Sequence, residues 1–94
     1  MNILNPEEIT KGMQEIDDWF YVDKSLEKEF KLKTFADALA FIIKIGIESE
    51  KMDHHPDINL HSWNKVKITL STHDAGGVTE NDIKLAQIID KIRL

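Results

Sequence analysis

Cysteine is missing from this chain, and disulfides, thiolate nucleophiles and cysteine-ligated zinc sites are excluded with it. The lack fits a reducing compartment, so the cytoplasm is the expected location. Basic charge is in deficit too: 12 lysines and arginines face 17 acids, a net charge of −5. Phosphate backbones need a basic face, so nucleic acid is not expected as a ligand. No apolar run approaches the roughly 18 residues of a membrane span, and no membrane partner is expected. The opening Met1-Asn2-Ile3-Leu4-Asn5-Pro6-Glu7-Glu8 lacks the apolar stretch of a signal peptide. What remains is an ordinary globular composition, 41% hydrophobic and 31% charged over 94 residues. That length suits one small domain, residues 1–94, which buries only a modest fraction of its surface and would gain from a partner subunit.

The periodicities predict the order α-β-β-α-β-β-α. Asn5 can cap a short helix with Pro6 in its first turn, and Ile9, Met13 and Ile16 give it an apolar stripe. Trp19-Phe20-Tyr21-Val22 reads as a strand and Asp23-Lys24-Ser25 as a turn. Leu26, Phe30 and Leu32 then alternate with Glu27, Glu29 and Lys31, leaving Lys28 as an exception on the apolar side. Thr34 opens a long helix to about Met52, with Phe35, Leu39, Ile42, Ile43, Gly46 and Ile47 as its expected buried face and Phe41 and Ile45 outside it. A glycine inside a helix costs roughly 1 kcal/mol relative to alanine, so a neighbouring element is expected to approach Gly46 closely. Pro56 drives His55 out of the helical region. Ile58, Leu60 and Ser62 mark a third strand, Asn64-Lys65 a tight turn, and Val66, Ile68 and Leu70 a fourth strand. Asp74-Ala75-Gly76-Gly77 reads as a flexible connection. Thr79-Glu80-Asn81-Asp82 signals the cap of a last helix, buried through Ile83, Leu85, Ala86, Ile88, Ile89 and Ile92. Two hairpins joined by a long helix predict an α+β fold: one four-stranded antiparallel sheet with three helices on one face.

The chemistry concentrates in two polar knots. Glu50-Lys51-Met52-Asp53-His54-His55-Pro56-Asp57 holds two adjacent histidines at a helix end. Ser71-Thr72-His73-Asp74 holds a third just past a strand. Imidazole titrates near pH ~6.5 and so can give and take protons in neutral water. Neighbouring residues of an extended chain point apart, so one of His54 and His55 would react while the other binds or orients. A zinc set could be drawn from His54, His73 and Glu50 or Asp53, but tandem histidines do not match the i, i+4 spacing of helical zinc sites. Trp19 suits the core, whereas Trp63 suits core or an aromatic wall for a flat ring.

These residues resemble the pterin-4a-carbinolamine dehydratase family. The pattern is carried by Glu50, His54-His55-Pro56, Trp63, His73 and Asp82 at their spacings. The phrases Asn64-Lys65-Val66 and Thr69-Leu70-Ser71-Thr72-His73, and the earlier Trp19, are similar too. The resemblance implies loss of water from a 4a-hydroxytetrahydropterin to give the quinonoid dihydropterin, recycling the cofactor of aromatic amino acid hydroxylases. It implies no metal and no bound cofactor, and assembly as a homodimer or homotetramer. By similarity His54 and His73 transfer protons and His55 binds the pterin. Glu50 and Asp53 orient the site or hold an imidazolium. Pro56, Trp19, Trp63, Ser71 and Thr72 line it, and Asp82 is structural or orienting. Two other readings stay open: a non-catalytic binding or assembly module, and another pterin-related role such as molybdenum cofactor metabolism.

Overall fold

The computed structural model describes residues 2–94. Helix α1 spans Pro6–Met13, strand β1 Phe20–Val22, β2 Ser25–Lys31, helix α2 Phe35–Met52, β3 Asp57–His61, β4 Lys65–Leu70 and helix α3 Glu80–Asp90. The four strands form one antiparallel sheet in the order β1-β2-β4-β3, with the helices on one side. Strand alternation decides which side. Val66, Ile68 and Leu70 of β4 are fully buried under the helices, and Leu26 of β2 joins them. The opposite face carries Glu27, Glu29 and Lys67, whose charges offset one another in the cross-strand pair Glu29–Lys67 and the 3.3 Å pair Lys67–Glu27, while Lys65 stands opposite Lys31. Among the described residues no helix is long and apolar enough to cross a membrane.

Local chemistry sets the element ends. Asn5 and Glu8 form a reciprocal capping box on α1. Thr34 Oγ1 accepts the Asp37 amide and starts α2. Both hairpins turn through two residues with positive φ, Asp23-Lys24 and Ser62-Trp63, the twist that matches right-handed strands. The second turn is thus centred one residue pair earlier than Asn64-Lys65. Asn64 is instead buried, and its side-chain amide and backbone carbonyl join Leu32.

Helix α2 lies the other way round from the face its sequence advertises. Ala38, Phe41, Ile45 and Ser49 are buried, whereas Phe35, Leu39, Ile43 and Ile47 are about half exposed. The buried row follows helical spacing but includes two small residues, so it reads as weaker in sequence. Those small residues let the helix settle on the sheet, with Phe41 against Phe30 at a ring separation of 4.9 Å. Gly46 has no neighbour near its missing side chain. The close approach is at Gly12, where a Cβ would stand 2.9 Å from Ile83 and hold α1 away from α3.

Lys28, the exception in β2, reaches past the core edge to Asp90 at the end of α3 (2.8 Å) and to the Asp17 carbonyl (2.7 Å). The same Asp90 carboxylate accepts the Trp19 indole N–H. Trp19 itself is buried and lies edge-on to Phe30.

Candidate active site

The end of α2 is shaped by a left-handed residue. Asp53 has φ 51 and ψ 44. The His54 amide bonds back to the Ser49 carbonyl and the Asp53 amide to Glu50, the hydrogen-bond pattern of a Schellman stop. Glycine meets that conformation without strain, while an L residue costs roughly 1–2 kcal/mol. The stop turns the chain so that His54 points inward and His55 outward, and Pro56 then starts the extended run into β3.

The second knot comes to the same place from β4. Thr72 and Gly77 bridge through their backbones, and the amides of Ala75 and Gly76 bond to the Thr72 carbonyl. Gly76 takes φ +78 to close the loop. Residues 73–76 are therefore a tight hydrogen-bonded turn rather than a flexible connection. Ser71 ties to the Lys24 carbonyl at 3.2 Å. His73 sits exposed on the turn.

Together the two knots line a hollow of about 190 Å³ formed by Asp53, His54, His55, Ser71, Thr72, His73 and Asp74. This is small beside the roughly 300–1,000 Å³ of enclosed ligand sites, so the hollow is an open surface depression rather than an enclosed cavity. A larger groove of about 320 Å³ lies between α2 and the end of α3, but isoleucines and surface charges line it and no histidine does.

The three imidazoles differ sharply. His54 is 9% exposed, and its Nε2 lies 2.6 Å from Oδ1 of Asp82, a carboxylate with no exposure at all. A buried charge needs full hydrogen bonding. Asp82 obtains it from His54, from the Thr79 amide (2.8 Å) and from the Thr72 hydroxyl (2.9 Å), and it sits in the first turn of α3 where the helix dipole favours a negative charge. His55 is exposed, and its Nε2 is 2.8 Å from Glu50 Oε1 on the previous turn of α2. Among the described residues His73 has no side-chain partner, which leaves its ring to the hollow and the solvent. No group of three such side chains is gathered tightly enough to hold a metal among the described residues.

Three residues expected to line the site, Pro56, Trp19 and Trp63, are not among those lining the hollow, and the two tryptophans lie well away from it in this chain. Trp19 is fixed in the core at the Asp90 end of α3, opposite the Asp82 end that holds His54. Trp63 is 61% exposed at the tip of the β3–β4 turn, at the end of that hairpin away from the knots. A strand residue after a two-residue turn and a turn residue look alike by alternation, which is why Trp63 reads as strand. Thr79 is the residue that sequence reasoning passed over. It reads only as a helix cap, and its contact with the histidine network depends on the packing of α3 against the end of β4.

A sheet with one helical layer and a histidine hollow at its open end defines a small α+β protein with a titratable site. The comparisons with known proteins agree in kind. The family model described as pterin 4 alpha carbinolamine dehydratase matches residues 2–92, so the chain belongs to that family. A relative from Prochlorococcus marinus, provisionally named pterin-4-alpha-carbinolamine dehydratase, is 42% identical over 92 residues, 98% of this chain and 96% of its own. One from Sulfolobus acidocaldarius with the same provisional name is 43% identical over 90 residues, 96% of this chain and 98% of its own. A crystal structure described as a transcriptional coactivator/pterin dehydratase from Brucella melitensis superposes with a TM-score of 0.89 at 36% identity, covering 95% of this chain and 96% of that one. A more distant structure, a pterin dehydratase-like protein identified as a RuBisCO assembly factor in the alpha-carboxysome, has a TM-score of 0.62 at 26% identity, covering 77% of this chain and 82% of that one.

Proposed function

We propose that this protein dehydrates a 4a-hydroxytetrahydropterin to the quinonoid dihydropterin, the step that returns an oxidised pterin to the pool used by aromatic amino acid hydroxylases. The observation that carries this reading is the hollow in which His54, His55 and His73 meet, with one ring anchored on a buried carboxylate. Dehydration needs two proton transfers. The hydroxyl on C4a leaves as water once protonated, the electron pair of N5 closes the N5=C4a bond, and the N5 proton goes to a base. His54 and His73 supply these transfers from the two knots. His55, oriented by Glu50, binds the polar edge of the ring. Ser71 and Thr72 line the wall beneath it.

The test is turnover by the purified protein of enzymatically generated pterin-4a-carbinolamine, followed as quinonoid dihydropterin formed above the spontaneous rate. An acceleration that disappears in the double variant His54→Ala, His73→Ala supports the reading. A non-catalytic assembly module would give no acceleration at all, and an unimpaired double variant would remove the histidines from the mechanism.

The same proposal includes self-association. Phe35, Leu39, Ile43 and Ile47 form an exposed apolar row along α2, with Gly46 as a flat notch beside it. Such a row on a free helix is an association surface, and a second copy of α2 laid across the notch would cover it. Ile43→Glu places a charge in the middle of the row. It is expected to lower the assembly state in sedimentation velocity with the secondary structure intact, and an unchanged sedimentation coefficient would count against this surface.

A further inference from the structure

Behind His54 stands a pair of hydroxyls whose protons the reaction above does not use. Thr79 is fully buried, and its Oγ1 lies 2.7 Å from Thr72 Oγ1. Thr72 Oγ1 lies 2.9 Å from Asp82 Oδ2, and the Thr79 amide donates to the same oxygen. A hydroxyl carries one proton, and an ionised carboxylate only accepts. The Thr72 proton is therefore committed to Asp82, and the Thr79 hydroxyl must donate to Thr72. With Oδ2 engaged by two donors, Oδ1 is left for His54 Nε2, which must carry its hydrogen. The other ring nitrogen, Nδ1, is then the free one. It has no partner among the described residues, yet every buried side-chain nitrogen and oxygen there has one. Nδ1 is thus open to the surface, and the surface His54 helps to line is the hollow.

We infer that the Thr72–Thr79 hydroxyl pair is a positioning device that fixes Asp82, that Asp82 fixes the tautomer of His54, and that Nδ1 is the atom which accepts the substrate proton. The assignment of this atom in the reaction rests on the dehydratase reading. The tautomer itself does not. In the step so described the N5–H bond breaks toward Nδ1, the N5 pair forms N5=C4a, and the C4a–O bond breaks as His73, protonated, gives its proton to the leaving oxygen. His54 gains one proton and His73 loses one, so transfer between them through water restores both. The imidazolium formed meanwhile at His54 faces the Asp82 charge, which stabilises it.

Nitrogen-15 NMR of labelled histidines in the free protein, at about pH 8 and so above the ordinary imidazole range, reads which nitrogen of His54 is protonated without any substrate. The expected result is the Nε2–H form. Thr79→Val leaves the Asp82 acceptor and so the Nε2–H form in place, but it loosens the hold on Asp82 and is expected to lower kcat about tenfold at unchanged KM, with Thr79→Ser restoring it. Asp82→Asn is isosteric and serves where Thr79→Val does not fold. Its amide oxygen must face the two donors at the Oδ2 position, so its NH2 turns on Nε2 and forces the hydrogen to Nδ1. That variant is expected to lose roughly 10²-fold in kcat. A wild-type His54 protonated at Nδ1, or a folded Thr79→Val with unaltered kcat, overturns the inference. Should the tautomers of the wild type and of Asp82→Asn behave as expected in a protein that turns over no pterin, the linkage from carboxylate to histidine stands and the dehydratase reading alone falls.

Discussion

Replacing His54 by alanine is expected to reduce carbinolamine turnover by about 10²–10⁴-fold, the usual range for a positioned acid–base group. Removing His55 is expected to act mainly on KM. The contrast follows from how each ring is held. His54 is anchored at 2.6 Å on a completely buried carboxylate in the first turn of α3, so its free nitrogen has a fixed position. His55 pairs with Glu50 where both side chains are more than half exposed, and surface pairs of this kind are worth at most about 1 kcal/mol. His54→Ala also leaves Oδ1 of Asp82 without its donor, at a cost of about 1–3 kcal/mol. Steady-state kinetics therefore belong beside a circular-dichroism melt, and His54→Gln, which restores a donor without an imidazole's proton chemistry, separates the two effects. A His54→Ala protein that is folded and turns over at the wild-type rate would exclude His54 from proton transfer.

The largest effect on stability is expected at the opposite end of α3. Asp90→Ala removes the partner of Lys28 and the acceptor for the Trp19 indole together. The ion pair is only 15% and 18% exposed. Breaking a fully buried pair costs about 3–5 kcal/mol because the remaining charge is stranded. Partial exposure screens this one, so about 2–3 kcal/mol is expected. For a protein of this size that is a fall in Tm of roughly 10 °C or more. Lys28 lies 4.8 Å from the Phe30 ring and 5.9 Å from that of Trp19, so the stranded ammonium keeps some stabilisation from the aromatic faces. The double variant Lys28→Met, Asp90→Leu, which strands no charge, is expected to be more stable than Asp90→Ala alone. Urea melts at one fixed protein concentration measure both, and additive losses in the double variant would show that the pair is not coupled.

Neither cluster could be assembled from the chain alone. The histidines stand out in sequence because they fall outside the apolar periodicities, and the break at Pro56 shows where α2 must stop. Lys28 stands out for the opposite reason, as a charge on an apolar parity. Its partner Asp90 carries no signal, being one acid among 17. Asp82 reads as a capping residue, which it is, since one oxygen serves the Thr79 amide. That its other oxygen holds His54, 28 positions earlier, depends on α3 packing across the end of the sheet.

The sequence determined the element order, the antiparallel sheet, the helix caps and the identity of the three histidines, because caps, prolines and alternation act over a few residues. The tertiary structure decided which face of α2 is buried, since that helix is apolar on more than one side and only its fit to Phe30 and the sheet breaks the tie. It also decided that Trp19 and Trp63 lie away from the hollow, and that a single buried carboxylate governs one of the three imidazoles. Those outcomes depend on which distant surfaces meet, and no local periodicity carries that information.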